Sequence, residues 1–123
     1  MAECDNNDAD EHSMRFFDVR GRVQKVMFRQ TVIRAMIKRG LDGGASNDKV
    51  DKKLVHLTLA GPNESIDELI QVLASGKPIN DWGAQVKSIS ELDAAHGKPI
   101  DKHQVTTQNV DSHKWNPNVV MYI

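Results

Sequence analysis

A run of basic and aliphatic residues between positions 19 and 29 has the composition of an anion site. It reads Val19-Arg20-Gly21-Arg22-Val23-Gln24-Lys25-Val26-Met27-Phe28-Arg29. Where a strand turns into the first turn of a helix, the backbone presents unpaired N–H groups and the positive end of the helix dipole, which together attract an anion. Arg29 would stand over this turn, and its guanidinium can donate two parallel hydrogen bonds to a phosphate. The segment therefore predicts a phosphate-binding loop.

The elements on either side of this loop are predicted to be a strand and a helix. Residues 14–20 carry apolar side chains at alternate positions, which is typical of a strand, and Gly21 ends it. From Phe28 onward apolar residues recur at a helical spacing, and Gly40 stands where a helix end favours glycine.

The rest of the chain completes the order β, α, β, β, α, β with a late terminal strand. We expect strands at 43–47, 54–60, 84–92 and 119–123, a second helix ending at Gly76, and a polar loop at 93–117. This order predicts an α+β fold of the split βαβ type, with two helices on one face of the sheet. The first two strands are then parallel with the third between them, so the loop at 22–29 should face Asn47.

Two motifs in the chain resemble those of the acylphosphatase family. Seven of the eight constrained positions of its first signature match, namely Val19, Gly21, Val23, Gln24, Val26, Phe28 and Arg29. The stretch Gly43-Gly44-Ala45-Ser46-Asn47 is similar to the second motif, and Val55 followed six residues later by Gly61 repeats its ending. The resemblance covers about residues 14–92 and the last strand.

The resemblance implies a ferredoxin-like βαββαβ sandwich and a metal-free hydrolase that needs no cofactor. Its substrate would be a small acyl phosphate, cleaved to a carboxylate and inorganic phosphate. The implied phosphate-binding residues are Val23, Gln24, Lys25, Val26, Met27, Phe28 and Arg29. Arg29 and Asn47 would be catalytic, because Arg29 would bind the phosphate and Asn47 would position the attacking water. An amide can orient a water but is no useful base, so the proton would pass to the phosphate.

The chain departs from the family pattern at three points. Lys25 replaces a glycine, and a non-glycine residue costs about 1 kcal/mol if that position needs a positive φ. Gly44 replaces an aromatic residue near Asn47, and the loop between the second and third strands is two residues longer than the family spacing. Lys25 also adds a cation beside the phosphate, so from this replacement we expect altered affinity rather than abolished chemistry.

The net charge of −1 averages over unlike segments. Residues 1–13 hold five acidic residues and no Lys or Arg, whereas residues 14–39 hold eight basic residues and one acid. We expect residues 1–13 to be a disordered tail because they lack apolar side chains for a core. Residues 14–123 are expected to form one domain that includes the polar loop at 93–117.

Compartment and partners follow from what the sequence lacks. Cys4 is the single cysteine, so no disulfide forms within the chain and a reducing compartment is expected. No stretch has the length of a membrane span, and the N-terminus does not resemble a signal peptide. We therefore expect a cytoplasmic monomer that binds neither membrane nor nucleic acid.

Two other functions remain open alongside the enzyme. The first is an inactive or weakly active anion-binding module of the same fold, because Lys25 and Gly44 depart from the family pattern. The second is RNA binding, since RNA-recognition domains share this strand order, but the aromatic residues they use to stack bases are absent from the third strand. The five histidines are not spaced as metal ligands, so no metal site is expected.

Overall fold

The computed structural model describes residues 12–113 and 118–123. In this part of the chain the strands are β1 (His12–Arg22), β2 (Asp42–Asn47), β3 (Leu54–Pro62), β4 (Gln85–Leu92) and β5 (Val105–Thr106), and the helices are α1 (Phe28–Lys38) and α2 (Asn63–Ala74). Three short 3-10 helices lie at Ala94–His96, Ile100–Lys102 and Val110–Ser112.

The strands form one sheet in the order β4-β1-β3-β2-β5, and every neighbouring pair is antiparallel. β1 and β2 therefore run in the same direction with β3 between them, as the sequence predicts. The two helices bury their apolar side chains in the core, for example Ile33 and Met36 of α1 and Leu69 of α2. This arrangement confirms the ferredoxin-like βαββαβ fold.

Alternation along β3 separates the two faces of the sheet. Val55, Leu57 and Leu59 are fully buried in the core, whereas His56 and Thr58 point to the opposite face. The chain after β4 crosses that second face, and we call residues 93–104 the crossing segment.

The crossing segment is held to the sheet by buried polar contacts. His103 lies between the hydroxyl groups of Ser46 and Thr58, at 2.9 Å from Ser46 Oγ and 2.7 Å from Thr58 Oγ1. Thr58 Oγ1 also donates to the carbonyl of Lys98, and Gly97 packs against the ring of Phe16. The predicted loop at 93–117 is therefore held against the sheet at Gly97, Lys98 and His103.

The prediction of a terminal strand at 119–123 is wrong. Val105 and Thr106 occupy the free edge of β2 instead, and residue Met121 makes only a single bridge, to Asn80. The segment is rich in β-branched residues, but the edge it would need is already paired with residues closer in sequence to β4.

The predicted boundary of the acidic tail is also wrong by two residues. His12 and Ser13 pair with Pro62 and Gly61 and are the first residues of β1. The rest of the predicted tail, residues 1–11, lies outside the described residues. No helix in the described part of the chain is long and apolar enough to cross a membrane.

Candidate active site

The backbone of the loop between β1 and α1 is shaped by residues in unusual conformations. Gly21 has φ 146° at the point where the register between β1 and β4 shifts, and Lys25 and Met27 have φ 68° and 58°. Lys25 thus adopts the left-handed conformation that favours glycine, which explains why a glycine suits this position. Its side chain is exposed, whereas Val23 and Phe28 are buried and fix the loop to the core.

Two polar side chains, Gln24 and Asn80, tie this loop to the rest of the chain. Gln24 Nε2 donates to the carbonyls of Asp48, Asp51 and Leu54, at 3.3, 3.1 and 2.9 Å. The Gln24 side chain therefore ties the loop to the β2–β3 connection, and any contact of residue 24 with an anion falls to its backbone N–H.

Asn80 braces the other end of the loop, and the sequence motifs do not point to it. Its Nδ2 atom donates to the carbonyl of Val26 and to Thr31 Oγ1, both at 2.9 Å. Asn80 is fully buried, although it lies 54 positions from Val26.

Arg29 lies in the first turn of α1, as the sequence predicts. The side chain is half-buried, and burial lowers the pKa of its guanidinium from the ordinary value. An arginine nevertheless remains protonated at neutral pH. Arg29 lines a cavity of about 280 Å³ together with Lys25, Met27, Trp82 and His113. This cavity is where the loop, α1 and the chain after β5 meet.

Asn47 ends β2 and lines a second cavity, of about 550 Å³. Among the described residues, Asn47 Oδ1 is the one buried side-chain oxygen or nitrogen without a hydrogen-bond partner. An unpaired buried acceptor costs free energy unless a partner binds to it. Asn47 Oδ1 is thus a buried acceptor, in a residue that lines the second cavity, to which none of the described residues donates.

Gln104 connects the two predicted catalytic residues. Its Oε1 atom accepts a hydrogen bond from Arg29 Nη1 at 2.8 Å and one from the backbone N–H of Asn47 at 2.9 Å. The backbone N–H of Gln104 donates to Ser46 Oγ at 2.9 Å. Arg29 and Asn47 thus come together across one amide oxygen, although their side chains line different cavities. Sequence reasoning missed Gln104 because it lies in no motif.

The turn after Asn47 is stiffened by an acid–imidazole–acid contact. His56 Nδ1 is 2.7 Å from Asp18 Oδ1, and His56 Nε2 is 2.9 Å from Asp48 Oδ1. Burial acts to lower the pKa of His56, but the hydrogen bonds to both carboxylates outweigh it and the pKa is raised. The backbone N–H of Asp51, followed by the His56 contact, lowers the pKa of Asp48 to about 2. Asp48 is therefore anionic and holds the residues next to Asn47 in place.

His103 has the opposite electrostatic environment. Burial, and then the positive charges of Lys98 and His56, lower its pKa to about 4. The imidazole is neutral at physiological pH, which fits its two hydroxyl partners, Ser46 and Thr58. Within residues 12–113 and 118–123, no group of three or more His, Cys, Asp or Glu side chains could hold a metal ion.

Comparisons with known proteins point to one family. The family model described as acylphosphatase matches residues 15–107. An acylphosphatase from Pyrobaculum aerophilum is 32% identical over 71 residues, which are 58% of this chain and 70% of that protein.

Solved structures of similar fold point the same way. The crystal structure of acylphosphatase from Bacillus subtilis superposes with a TM-score of 0.55 at 27% identity, over 73% of this chain and 90% of that one. An acylphosphatase from Coxiella burnetii superposes with a TM-score of 0.57 at 24% identity, over 76% and 87%, and at that identity it speaks for the fold alone.

Proposed function

Because this chain belongs to the acylphosphatase family, we propose that it hydrolyses the carboxyl–phosphate bond of small acyl phosphates without a metal ion. The products are a carboxylate and inorganic phosphate. A carboxylate is a good leaving group, so catalysis asks mainly for held phosphate oxygens, an aligned water and neutralised charge.

Arg29 and the loop supply the phosphate site in this proposal. The position of Gln104 Oε1 marks a point within hydrogen-bond distance of Arg29 Nη1 and of the Asn47 N–H. A phosphate oxygen at that point would accept both bonds. Since hydrogen bonds to an ionised acceptor are about twice as strong as neutral ones, phosphate would displace the glutamine amide.

Asn47 orients the water that attacks. Its unpartnered Oδ1 is the observation that carries this role, because a water that reaches this buried atom beside the phosphate would supply the donor it lacks. The water oxygen bonds to phosphorus as the phosphorus–oxygen bond to the acyl group breaks, and the electron pair leaves with the carboxylate. The proton of the water passes to a phosphate oxygen, since an amide is no base.

The decisive experiment measures hydrolysis of acetyl phosphate with a chelator present. We expect Arg29→Ala to lower kcat/KM by about 100- to 1,000-fold, and Asn47→Ala to lower kcat by about 100-fold with little change in KM. Arg34→Ala is the matched control, because Arg34 lies on the same helix, pairs with Asp111 and should leave turnover near the wild-type value. Wild-type activity in both site variants would contradict the assignment.

The second candidate is an anion-binding module of the same fold. It is favoured by the Gln104 amide, which already occupies hydrogen-bond donors of both Arg29 and Asn47. Calorimetric binding of inorganic phosphate without turnover of acetyl phosphate would select it.

Location and partners complete the proposal. We propose a cytoplasmic monomer that binds no nucleic acid, because the crossing segment lies over Thr58 on the sheet face where RNA-recognition domains stack bases. Size-exclusion chromatography and an RNA-binding titration test these two statements.

A further inference from the structure

We propose that the second cavity is a subsite for a negatively charged group on the acyl part of the substrate. This inference rests on the proposed function and names a substrate class within it, namely acyl phosphates whose acyl chain carries a carboxylate or a second phosphate. The cavity has a volume of about 550 Å³ and is lined by Asn47 and Gln104 together with Lys49, Lys98 and Lys102.

The second cavity is lined by lysines whose charges are not neutralised. Among the described residues, no ion pair or hydrogen bond engages the ammonium groups of Lys49, Lys98 or Lys102. Asp48 is the one carboxylate that lines the cavity, and it is engaged by His56 and by the backbone N–H groups of Val50 and Asp51. The free charge that faces the cavity is therefore positive.

The positive charge of Lys98 acts on the protein interior beside the cavity. Lys98 is half-buried, and together with His56 it contributes to lowering the pKa of His103, after burial itself. A positive charge that acts on a buried imidazole is only partly screened by solvent. The positive charge of Lys98 would therefore attract an anion in the cavity.

The second cavity adjoins the proposed phosphate site through Gln104. Gln104 lines the second cavity, and its Oε1 atom is 2.8 Å from Arg29 Nη1 and 2.9 Å from the Asn47 N–H. A phosphate held by Arg29 would therefore adjoin the cavity that the lysines line, and the acyl chain of the substrate would extend toward them.

Two of the three lysines belong to the crossing segment. Lys98 and Lys102 are fixed over the sheet because His103, between them and Gln104, is buried against Ser46 and Thr58. The same segment that contacts Arg29 through Gln104 therefore carries the charges of the subsite.

The test uses two stable phosphonates that differ by one charge, propylphosphonate and 3-carboxypropylphosphonate, in calorimetric titrations of the full chain. We expect the carboxylated ligand to bind the wild type about tenfold more tightly, which corresponds to about 1.4 kcal/mol from exposed charges. The double variant Lys98→Gln/Lys102→Gln should lose most of this preference, because only Lys49 remains, whereas Lys98→Arg/Lys102→Arg should keep it.

Lys77→Gln is the matched control, because Lys77 is exposed and lines neither cavity. The wild-type preference should weaken as salt rises from about 0.05 to 0.3 M. Equal affinity of the wild type for both ligands, or an equal loss for both in the glutamine double variant, overturns the subsite. Failure to hydrolyse acetyl phosphate would instead contradict the proposed function, and the binding preference would still decide the subsite.

Discussion

The loop at residues 21–29 and the crossing segment at residues 93–104 reach the same site in different ways. The loop is shaped by its own backbone, through the positive φ angles of Gly21, Lys25 and Met27. The crossing segment contains only two short 3-10 helices and is held through His103, whose partners Ser46 and Thr58 lie 57 and 45 positions away. Positive φ angles thus shape the loop, which Gln24 and Asn80 then tie to the rest of the chain, whereas the crossing segment is positioned by long-range contacts alone.

Two glycines give the largest expected contrast between these regions. A Cβ at residue 21 would overlap the backbone of Gln85 and Lys87, and its φ of 146° is closed to other residues. At Gly97 the φ is ordinary, and the three atoms nearest to the added Cβ belong to the ring of the Phe16 side chain. We expect Gly21→Ala to lower the free energy of unfolding by about 3 kcal/mol or more, and Gly97→Ala by about 1–2 kcal/mol.

Urea unfolding of both variants measures this difference. If both substitutions lower the free energy of unfolding by the same amount, the loop is no more rigid than the crossing segment. Acetyl phosphate turnover should also fall further in Gly21→Ala, because the loop itself is displaced.

The pH dependence of stability tests the anchor of the crossing segment. The pKa of His103 is about 4 in the folded protein, against about 6.5 in an unfolded chain. Below pH 6.5 the unfolded chain therefore binds a proton that the folded one does not, and stability falls until pH 4. We expect this histidine to cost about 2 kcal/mol at pH 5 relative to pH 7.

Urea unfolding at pH 7 and pH 5 measures the effect, with His103→Gln as the variant that lacks it. The raised pKa of His56 acts in the opposite direction, because its contribution is present at low pH and is lost as pH rises through the folded pKa. His56 is present in both proteins, so only the part of its effect that depends on His103 remains in the difference between wild type and variant. His96→Gln, at an exposed position of the same segment, should keep the wild-type dependence.

Gln104 joins the crossing segment to Arg29 at the end of the loop. A negative charge at residue 104 therefore tests whether the crossing segment affects phosphate binding. Gln104→Glu would set a carboxylate against Arg29, where it competes with the phosphate of the substrate. We expect KM for acetyl phosphate to rise about tenfold at pH 7 and to stay raised at pH 5, because the neighbouring Arg29 guanidinium lowers the pKa of the new carboxyl. Gln108→Glu adds the same charge at an exposed position nearby, and a similar rise in that control would show a general charge effect instead.

The smallest expected effect lies within the loop, at Lys25. Lys25→Gly relieves the left-handed strain and should raise the free energy of unfolding by about 0.5–1 kcal/mol. It also removes a cation from the first cavity, so KM should rise about two- to threefold. Lys25→Gln separates the two effects, because it removes the charge and keeps the strain. If Lys25→Gly changes neither quantity, the lysine is merely tolerated.

The sequence was most informative where structure depends on neighbouring residues. Apolar spacing predicted α1 from Phe28, and the order of elements predicted that the loop at 22–29 faces Asn47. The left-handed φ of Lys25 agrees with the expectation that this position favours glycine. Each of these features depends on local backbone preferences or on the topology that follows from element order.

Other features could not be predicted because their partners are remote in sequence. The free edge of β2 is paired by Val105 and Thr106 rather than by the β-rich residues 119–123, and no local pattern distinguishes these two candidates. Gln104 and Asn80 are single polar residues in irregular segments, and their roles arise only from the atoms they meet.

The sequence by itself therefore determined the course of the loop at 21–29, the two residues proposed to be catalytic, and the order of strands and helices up to β4. Only the tertiary structure decided what stands between Arg29 and Asn47 and which charges surround them. The physical reason is that backbone conformation is governed by adjacent residues, whereas a hydrogen bond from Arg29 to Gln104 joins positions 75 residues apart. Such a contact forms only after the core has brought β2, α1 and the crossing segment together.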